Sequence, residues 1–256
     1  ESSDDAVLRE LARRLRLGYA RPEVEEPMFG TIPPTADHRW DLVRLLASRW
    51  FPGRGRMSGY VELELLHAER RLGVPLPREL KRWYLSMAAD HELWCVQDRL
   101  LSPNRLFITD GLLVFLAENQ DCAHWGIPLD SAGLDDPPVS LLIDGAEHPL
   151  ESPSVSCFAL QYLMLNIKFS GSLVGSANGQ ATDDAIAEIR RTLPRIPVYS
   201  RGWPQHGAEF FGTESLVVEV DANTWVWVAS LDLLPFDRFV ADLQRMGMTW
   251  ESVLTT

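Results

Sequence analysis

The chain has 256 residues, of which 46% are hydrophobic and 23% are charged, and this composition is typical of a soluble globular protein rather than a disordered or membrane-spanning one. Its formal net charge of −12 argues against binding to DNA, RNA or anionic membranes, because phosphate binding needs clustered Lys and Arg. No apolar run approaches the ~18 residues that span a bilayer, and the first residues lack the apolar centre of a secretory signal, so we expect a cytoplasmic protein.

Helical spacing of apolar residues predicts several amphipathic helices in the first part of the chain. They cover about residues 5–17, 37–50 and 60–72. A further helix opens at Pro77, where the missing amide hydrogen costs nothing, and its buried stripe is formed by Leu80, Trp83, Tyr84 and Met87. Residues 91–106 show no clear period and are predicted to be a loop in which Trp94 is anchored.

Runs of β-branched and apolar residues bounded by turn residues predict strands in the rest of the chain. Leu112–Ala117 and Cys122–Leu129 form a predicted pair joined by the tight turn Glu118–Asp121. The segment 170–184 is rich in small residues and is predicted to be a flexible loop. The remaining predicted strands lie at about 138–143, 197–200, 209–221 and 224–232, and the remaining helices at 154–169, 183–193 and 237–246.

Strands interrupted by helix pairs, with connections of hairpin length, predict an α+β fold. We expect a mostly antiparallel, twisted sheet of about six strands with helices packed on one side. Residues 1–56 are interpreted as an N-terminal helical extension and residues 57–256 as one domain, whose last part, 170–256, has too few strands to stand alone.

The segment between Arg105 and Lys168 contains no Lys or Arg but nine Asp and Glu residues. The turn Glu118–Asp121 lies in this segment between two apolar runs, so its carboxylates are expected to be exposed. A surface of one charge sign attracts partners of the other sign. The segment therefore predicts a surface that binds a basic partner.

Motifs for metal ions and nucleotides are absent from the sequence. The six histidines show no HxH, HxxxH or HExxH spacing, and neither GxxxxGK[ST] nor a GxGxxG after a strand occurs. We therefore expect no metal and no cofactor. The three cysteines are odd in number and widely separated, which favours free thiols over a disulfide framework.

Two sets of side chains are candidates for chemistry, and each has a plainer interpretation. Cys122 and His124 alternate on one predicted strand and could act as a thiol and a base, but we favour a packed strand because no orienting third group is visible. Glu118 and Asp121 could be paired carboxylates, although a solvated turn is the simpler interpretation. Likewise, Trp94 and Trp125 could be interface anchors, but burial in the core is the usual role of tryptophan near predicted elements.

Several short motifs follow one another between residues 58 and 169. They are Leu72-Gly73-Val74-Pro75-Leu76-Pro77 with Leu80, Trp83 and Tyr84, then Leu113–Phe115, Glu118-Asn119-Gln120, Trp125-Gly126-Ile127, Asp136-Pro137-Pro138-Val139 and Ser156–Leu163. Their order resembles that of the SUKH superfamily, bacterial immunity proteins related to a fungal cell-wall synthesis regulator. One departure is Ala88-Ala89-Asp90, where the family usually places a glycine.

The resemblance implies an α+β protein that binds and neutralises a toxin, often a nuclease, and implies no catalytic residues and no cofactor. Together with the acidic segment, it predicts a non-catalytic immunity or regulatory protein whose partner is a basic protein. The alternatives are a small hydrolase that uses Glu118 or Cys122 with His124, and an acidic scaffold without a dedicated site. The residues expected to contact the partner are Glu118, Asn119, Gln120, Asp121, Trp94, Trp125, Asp135 and Asp136.

Overall fold

The computed structural model describes residues 30–52, 58–143, 149–198 and 207–256. The predicted helix at residues 5–17 lies outside these ranges. The described residues form two compact units, the first holding Pro33–Ser170 and the second holding 30–32, 171–198 and 207–256. The predicted domain boundary at residue 56 lies inside the first unit. The two units meet in the sequence between Ser170 and Gly171, where the last part of the predicted single domain starts.

Short polar and glycine caps define the helices of the first unit. Thr35 accepts a hydrogen bond from the backbone N–H of His38 at one helix start, and Ser154 accepts one from Cys157 at another. Gly73 ends a third helix with a φ of 74°, which only glycine adopts at no steric cost. The helices are α1 (Ala36–Trp50), α2 (Glu62–Leu72), α3 (Arg78–Ser86), α4 (His91–Trp94) and α5 (Val155–Ile167), with short 3₁₀ turns at Pro103–Arg105 and Leu129–Ser131.

The first unit contains a six-stranded antiparallel sheet. The third and fourth strands form the predicted hairpin, in which Leu113 pairs with Ile127 and Ala117 with His124. The first two strands both pair with the third, at its two ends. The strands are β1 (Arg99–Leu100), β2 (Phe107–Thr109), β3 (Leu112–Ala117), β4 (Ala123–Pro128), β5 (Val139–Ile143) and β6 (Leu150–Ser152), in the order β1-β3-β4-β5-β6 with β2 beside β3.

An aromatic cluster joins the helices to the sheet in the core of the first unit. The ring of Trp83 on α3 contacts Trp94 edge to face, with centroids 4.9 Å apart. Its centroid also lies 5.9 Å from Trp40 on α1, 6.1 Å from Phe115 on β3 and 6.4 Å from Phe158 on α5. All five side chains are buried. The predicted buried stripe of α3 is therefore confirmed, with Trp83 at its centre.

The second unit has its own six-stranded antiparallel sheet and its own core. Apolar side chains of its two helices, such as Ile189 and Phe236, are buried in one cluster with strand residues such as Val218 and Val228. The helices are α6 (Asp183–Thr192) and α7 (Leu233–Arg245); the strands are β7 (Gly175–Gln180), β8 (Arg195–Ile196), β9 (Glu209–Gly212), β10 (Leu216–Asp221), β11 (Trp225–Ser230) and β12 (Thr249–Thr255), in the order β12-β7-β11-β10-β9-β8.

Strand β7 lies inside the segment 170–184, where the sequence predicts a loop, and that prediction is wrong. Its small residues are required by close neighbours. A Cβ on Gly175 would lie 2.5 Å from the ring of Phe236, and a Cβ on Gly179 would lie 2.2 Å from the backbone oxygen of Thr249. Glycine in a strand marks such close approaches. The small residues that suggested a flexible loop are the ones that allow β7 to fit between β12 and β11.

Other segments also differ from the predicted elements. Residues 91–106, predicted as a loop, contain α4, β1 and a 3₁₀ turn. Strand β12 is absent from the predicted strands, because most of its residues are exposed and its sequence has no alternation of apolar and polar residues. The prediction of an α+β fold with antiparallel pairing is confirmed, and the described chain contains two such sheets.

The segment Ala88-Ala89-Asp90, where the SUKH superfamily usually places a glycine, ends α3 without a left-handed residue. In the described chain the non-glycine residues with positive φ are Asp110, Asp121, Ala222 and Asn223. The backbone N–H of Ala88 instead donates to the carbonyl of Trp83 at 3.2 Å. The turn therefore does not depend on glycine.

Replacement of Trp83 tests the role of the aromatic cluster. We expect Trp83→Ala to lower the free energy of unfolding by about 3–5 kcal/mol, because it leaves a large cavity among four rings. Trp83→Phe should cost much less, since no described residue accepts a hydrogen bond from the Trp83 indole N–H. Urea unfolding followed by tryptophan fluorescence measures both values. Equal losses for the two variants would show that ring packing is not the source of the stability.

Candidate protein-binding surface

The turn between β3 and β4 is closed by the carboxylate of Glu118. The Oε2 atom of Glu118 accepts hydrogen bonds from the backbone N–H of Gln120 at 2.7 Å, and from the backbone N–H and thiol of Cys122 at 3.4 and 3.2 Å. Burial of Glu118 raises its pKa, but these hydrogen bonds outweigh burial, and the pKa lies below its ordinary value. Glu118 was expected to be exposed, but it is buried and supports the turn.

A second buried carboxylate, that of Asp98 just before β1, lies beside the same turn. Burial, with a smaller contribution from the nearby Glu118, raises the pKa of Asp98 to about 6, although the backbone N–H of Asn119 and the cations Lys168 and Arg99 act to lower it. Asp98 is not among the predicted site residues, because no sequence pattern marks it within the segment predicted as a loop.

Three residues at the end of this turn are exposed, and we call Asn119, Gln120 and Asp121 the tip surface. Asp121 has a φ of 67°, a left-handed conformation that Asp and Asn tolerate better than most residues. Its side chain is 66% exposed, and its Oδ1 atom contacts Arg99 at 3.3 Å and His124 at 3.1 Å. The tip surface thus presents one partly paired carboxylate and two amides on a fixed backbone.

The other expected acids, Asp135 and Asp136, lie at the opposite end of β4. The turn precedes Ala123, whereas these acids follow Pro128, and six strand residues span roughly 16 Å. Asp135 is exposed and pairs with Arg78 at 3.1 Å. The cation-free segment therefore does not form one contiguous acidic surface. This corrects the expectation, because a hairpin places the two ends of a strand at opposite edges of the sheet.

Asp136 holds the scaffold together rather than facing a partner. Its carboxylate pairs with Arg39 of α1 at 3.1 Å. It also accepts hydrogen bonds from the backbone N–H of Ser156 at 3.0 Å and from the Ser156 hydroxyl at 2.6 Å. The side chain is only 17% exposed. Asp136 therefore connects α1 to the first turn of α5.

Trp94 and Trp125 cannot contact a partner in this structure, because both are buried. The indole N–H of Trp94 donates to the carbonyl of Met87 at 2.9 Å. Trp125 packs against Phe158 with ring centroids 6.3 Å apart. This corrects the interpretation of these two residues as interface anchors and agrees with the alternative that they belong to the core.

Cys122 and His124 have different carboxylate partners. The thiol of Cys122 donates to Glu118, whereas the His124 ring contacts Asp121 and meets the ring of Phe107 edge to face at 5.5 Å. Cys95, Cys122 and Cys157 are not joined by disulfide bonds. Among the residues that the structure describes, no group of three or more His, Cys, Asp and Glu side chains could hold a metal ion.

Comparison of the chain with protein-family models, curated proteins and solved structures found no match. The resemblance to the SUKH superfamily therefore stays a prediction. None of the helices in the described ranges is both long and apolar enough to cross a membrane.

Substitution of Asp136 and its neighbour separates a structural carboxylate from an exposed one. We expect Asp136→Ala to lower the free energy of unfolding by about 3 kcal/mol, because it leaves Arg39 and Ser156 without their partner in a largely buried place. Asp135→Ala removes the same charge from an exposed ion pair and should cost less than about 1 kcal/mol. Thermal unfolding measured by circular dichroism compares the two. A loss for Asp135→Ala as large as that for Asp136→Ala would contradict these roles.

The raised pKa of Asp98 predicts a pH dependence of stability. The unfolded chain releases this proton near the ordinary value of 3.8 and the folded protein near about 6, so stability contributed by Asp98 falls as the pH rises between these values. Asp98→Asn, which has nearly the same shape but no ionisable group, should raise the free energy of unfolding at about pH 7.5 by about 1–3 kcal/mol.

The gain from Asp98→Asn should shrink at about pH 4.5, where the folded wild-type protein keeps this proton. Urea unfolding of both proteins at the two pH values provides the measurement. If Asp98→Asn is the less stable protein at the higher pH, the ionised carboxylate supports the fold instead.

Proposed function

We propose that the chain is a non-catalytic immunity or regulatory protein that binds and neutralises a basic partner through the tip surface. The observation that carries the proposal is the support of this surface by the buried carboxylate of Glu118, which accepts two backbone N–H groups of an otherwise exposed turn. The ordered motifs of the SUKH resemblance, to which Glu118-Asn119-Gln120 belongs, support the same assignment.

A turn that is already fixed favours binding because little conformational entropy is lost when the partner docks. Glu118 accepts two backbone N–H groups of the turn, so the backbone of the tip surface is held before binding. Its amide and carboxylate side chains remain exposed. They can form hydrogen bonds without moving the chain beneath them.

The exposed carboxylate of Asp121 favours a cationic partner. Both of its contacts, to Arg99 and His124, use the Oδ1 atom. A carboxylate has about four lone-pair sites, so its Oδ2 atom can accept an N–H from a Lys or Arg of the partner. The acids beneath the turn add to the negative potential there. Opposite charges speed the encounter of two proteins and orient it.

The partner can be sought and the surface tested in one experiment. We expect the immobilised chain to retain a basic protein from an extract of the native cell, and the products of the neighbouring genes are the first candidates. Association of the purified partner, measured by surface plasmon resonance, should slow as salt rises. Asp121→Asn keeps a residue suited to positive φ but should lower the association rate a few-fold at low salt.

Asp130→Asn is the matched control, because it removes one exposed negative charge at the opposite end of β4. It should leave the association rate unchanged. An equal effect of both variants would show that net charge, and not the tip surface, governs binding. For the immunity function, expression of the partner alone should arrest growth and co-expression of the chain should restore it; continued arrest on co-expression would contradict neutralisation.

A further inference from the structure

A groove of about 660 Å³ lies beside the segment that resembles the SUKH superfamily, within the first unit. One wall is α3, the other is the loop 132–135, and Pro75–Pro77 lie between them. The backbone N–H of Glu79 donates to the carbonyl of Asp135 at 2.9 Å, which fixes the two walls relative to each other. We call this site the α3 groove.

Two large apolar side chains of the α3 groove are open to solvent. Leu85 on α3 is 43% exposed, and Leu134 on the loop is 56% exposed. They belong to opposite walls of the same concavity. Single exposed leucines are ordinary on protein surfaces, but two that line one groove form a place where an apolar side chain of a ligand is removed from water.

Three cations project from the same helix. Arg78, Lys81 and Arg82 stand at positions i, i+3 and i+4, with Leu85 at i+7, so all four share one face of α3. The lining of the groove includes one carboxylate, that of Asp135. The side chains that line the groove therefore carry three positive charges and one negative charge, and three further carboxylates, those of Glu69, Asp37 and Glu79, contact these cations from outside the lining.

Carboxylates around the groove hold these cations in place. Lys81 pairs with Glu69 at 2.6 Å, and Arg82 pairs with Asp37. Arg78 uses Nε for Glu79 and Nη1 for Asp135. Since a guanidinium has five N–H donors, Arg78 can donate further hydrogen bonds to a ligand carboxylate without losing either bond. The cations are thus pre-positioned for a second acid.

We propose that the α3 groove binds a short segment of a partner protein that inserts one aliphatic side chain between Leu85 and Leu134 and places a carboxylate beside it on Arg78. The lining contains acidic as well as basic and apolar side chains, and this mixture favours a peptide over the other anionic ligands. A nucleic acid backbone or an anionic bilayer would bring a row of negative charges onto Asp135 and Asp37 as well as onto the cations. An acidic peptide brings one or two.

Selection of peptides on the full chain tests the α3 groove directly. A phage-displayed library of random short peptides is selected on the immobilised protein, and each recovered peptide is labelled with fluorescein and titrated by anisotropy. We expect the recovered peptides to share an aliphatic residue next to Asp or Glu. Changing that aliphatic residue to alanine, or the acid to its amide, should raise the dissociation constant about tenfold.

Variants of the chain locate the binding. Leu134→Ser and Arg78→Gln should each weaken the recovered peptides about tenfold. Leu134 is exposed, so the fold should tolerate its change. Arg78→Gln also removes one contact of the buried Glu79, so thermal unfolding of this variant is measured beside its peptide binding. Leu63→Ser is the matched control, because Leu63 is 58% exposed on α2, outside the groove. Asp121→Asn at the tip surface should leave peptide binding unchanged, which keeps this result separate from the proposed function.

Several outcomes would overturn the proposal. Recovery of no peptides, of peptides without acids, or of peptides that bind the Leu134→Ser protein as tightly as the wild type would each do so. Equal weakening by Leu63→Ser would show non-specific adhesion to exposed leucines. Binding of anionic vesicles or of an oligonucleotide, lost on Arg78→Gln while peptides do not bind, would assign the groove to another class of partner.

Discussion

The cost of burying a carboxylate decides how the first unit is held together. A buried negative charge must receive hydrogen bonds or a cation, since otherwise its lost hydration is not replaced. Glu79 lies in the first turn of α3 and its side chain is buried. Its carboxylate accepts a hydrogen bond from the indole N–H of Trp40 at 2.7 Å and also contacts Arg78 and Arg82. Glu118 is satisfied by backbone N–H groups of its own turn. Each acid is bonded to donors of another element or of the adjacent turn. The Glu79 bond fixes α3 relative to α1, and the Glu118 bonds fix the turn between β3 and β4.

The same requirement explains why the acidic segment is not one acidic surface. A segment of sequence without Lys or Arg has no such cations of its own, so its acids pair with arginines from other parts of the chain. Arg39 and Arg78 come from helices that precede the segment, and Arg99 from the strand beside it. The charge that remains for a partner is therefore small and local. The carboxylate that stays exposed at the turn is Asp121, and its position matters more than the sum of the charges.

The local spacing of apolar residues predicted the elements whose buried side chains recur with the period of a helix or a strand. It failed where the structure of a segment depends on neighbours that are distant in sequence. The stripe Leu80, Trp83, Tyr84 and Met87 and the pair β3–β4 follow from spacing alone, because their apolar residues recur with the period of a helix or a strand. Strand β7 could not be found in this way, since its glycines are explained by Phe236 and Thr249, which are remote in sequence. For the candidate site, the turn was predicted but its support was not. Asp98 lies some twenty residues before the turn in the sequence, and no local pattern connects the two.

Two surfaces of different chemistry thus lie at opposite ends of β4. The tip surface offers charge and amides on a fixed turn, and charge acts mainly on the rate of encounter. The α3 groove offers apolar side chains between ordered cations, and apolar burial acts mainly on the rate of dissociation. The six residues of β4 between them span roughly 16 Å, and substitutions more than about 10 Å apart usually have additive effects. If one partner contacts both surfaces, its association rate should depend on salt concentration, whereas substitution of Leu134 should change its dissociation rate.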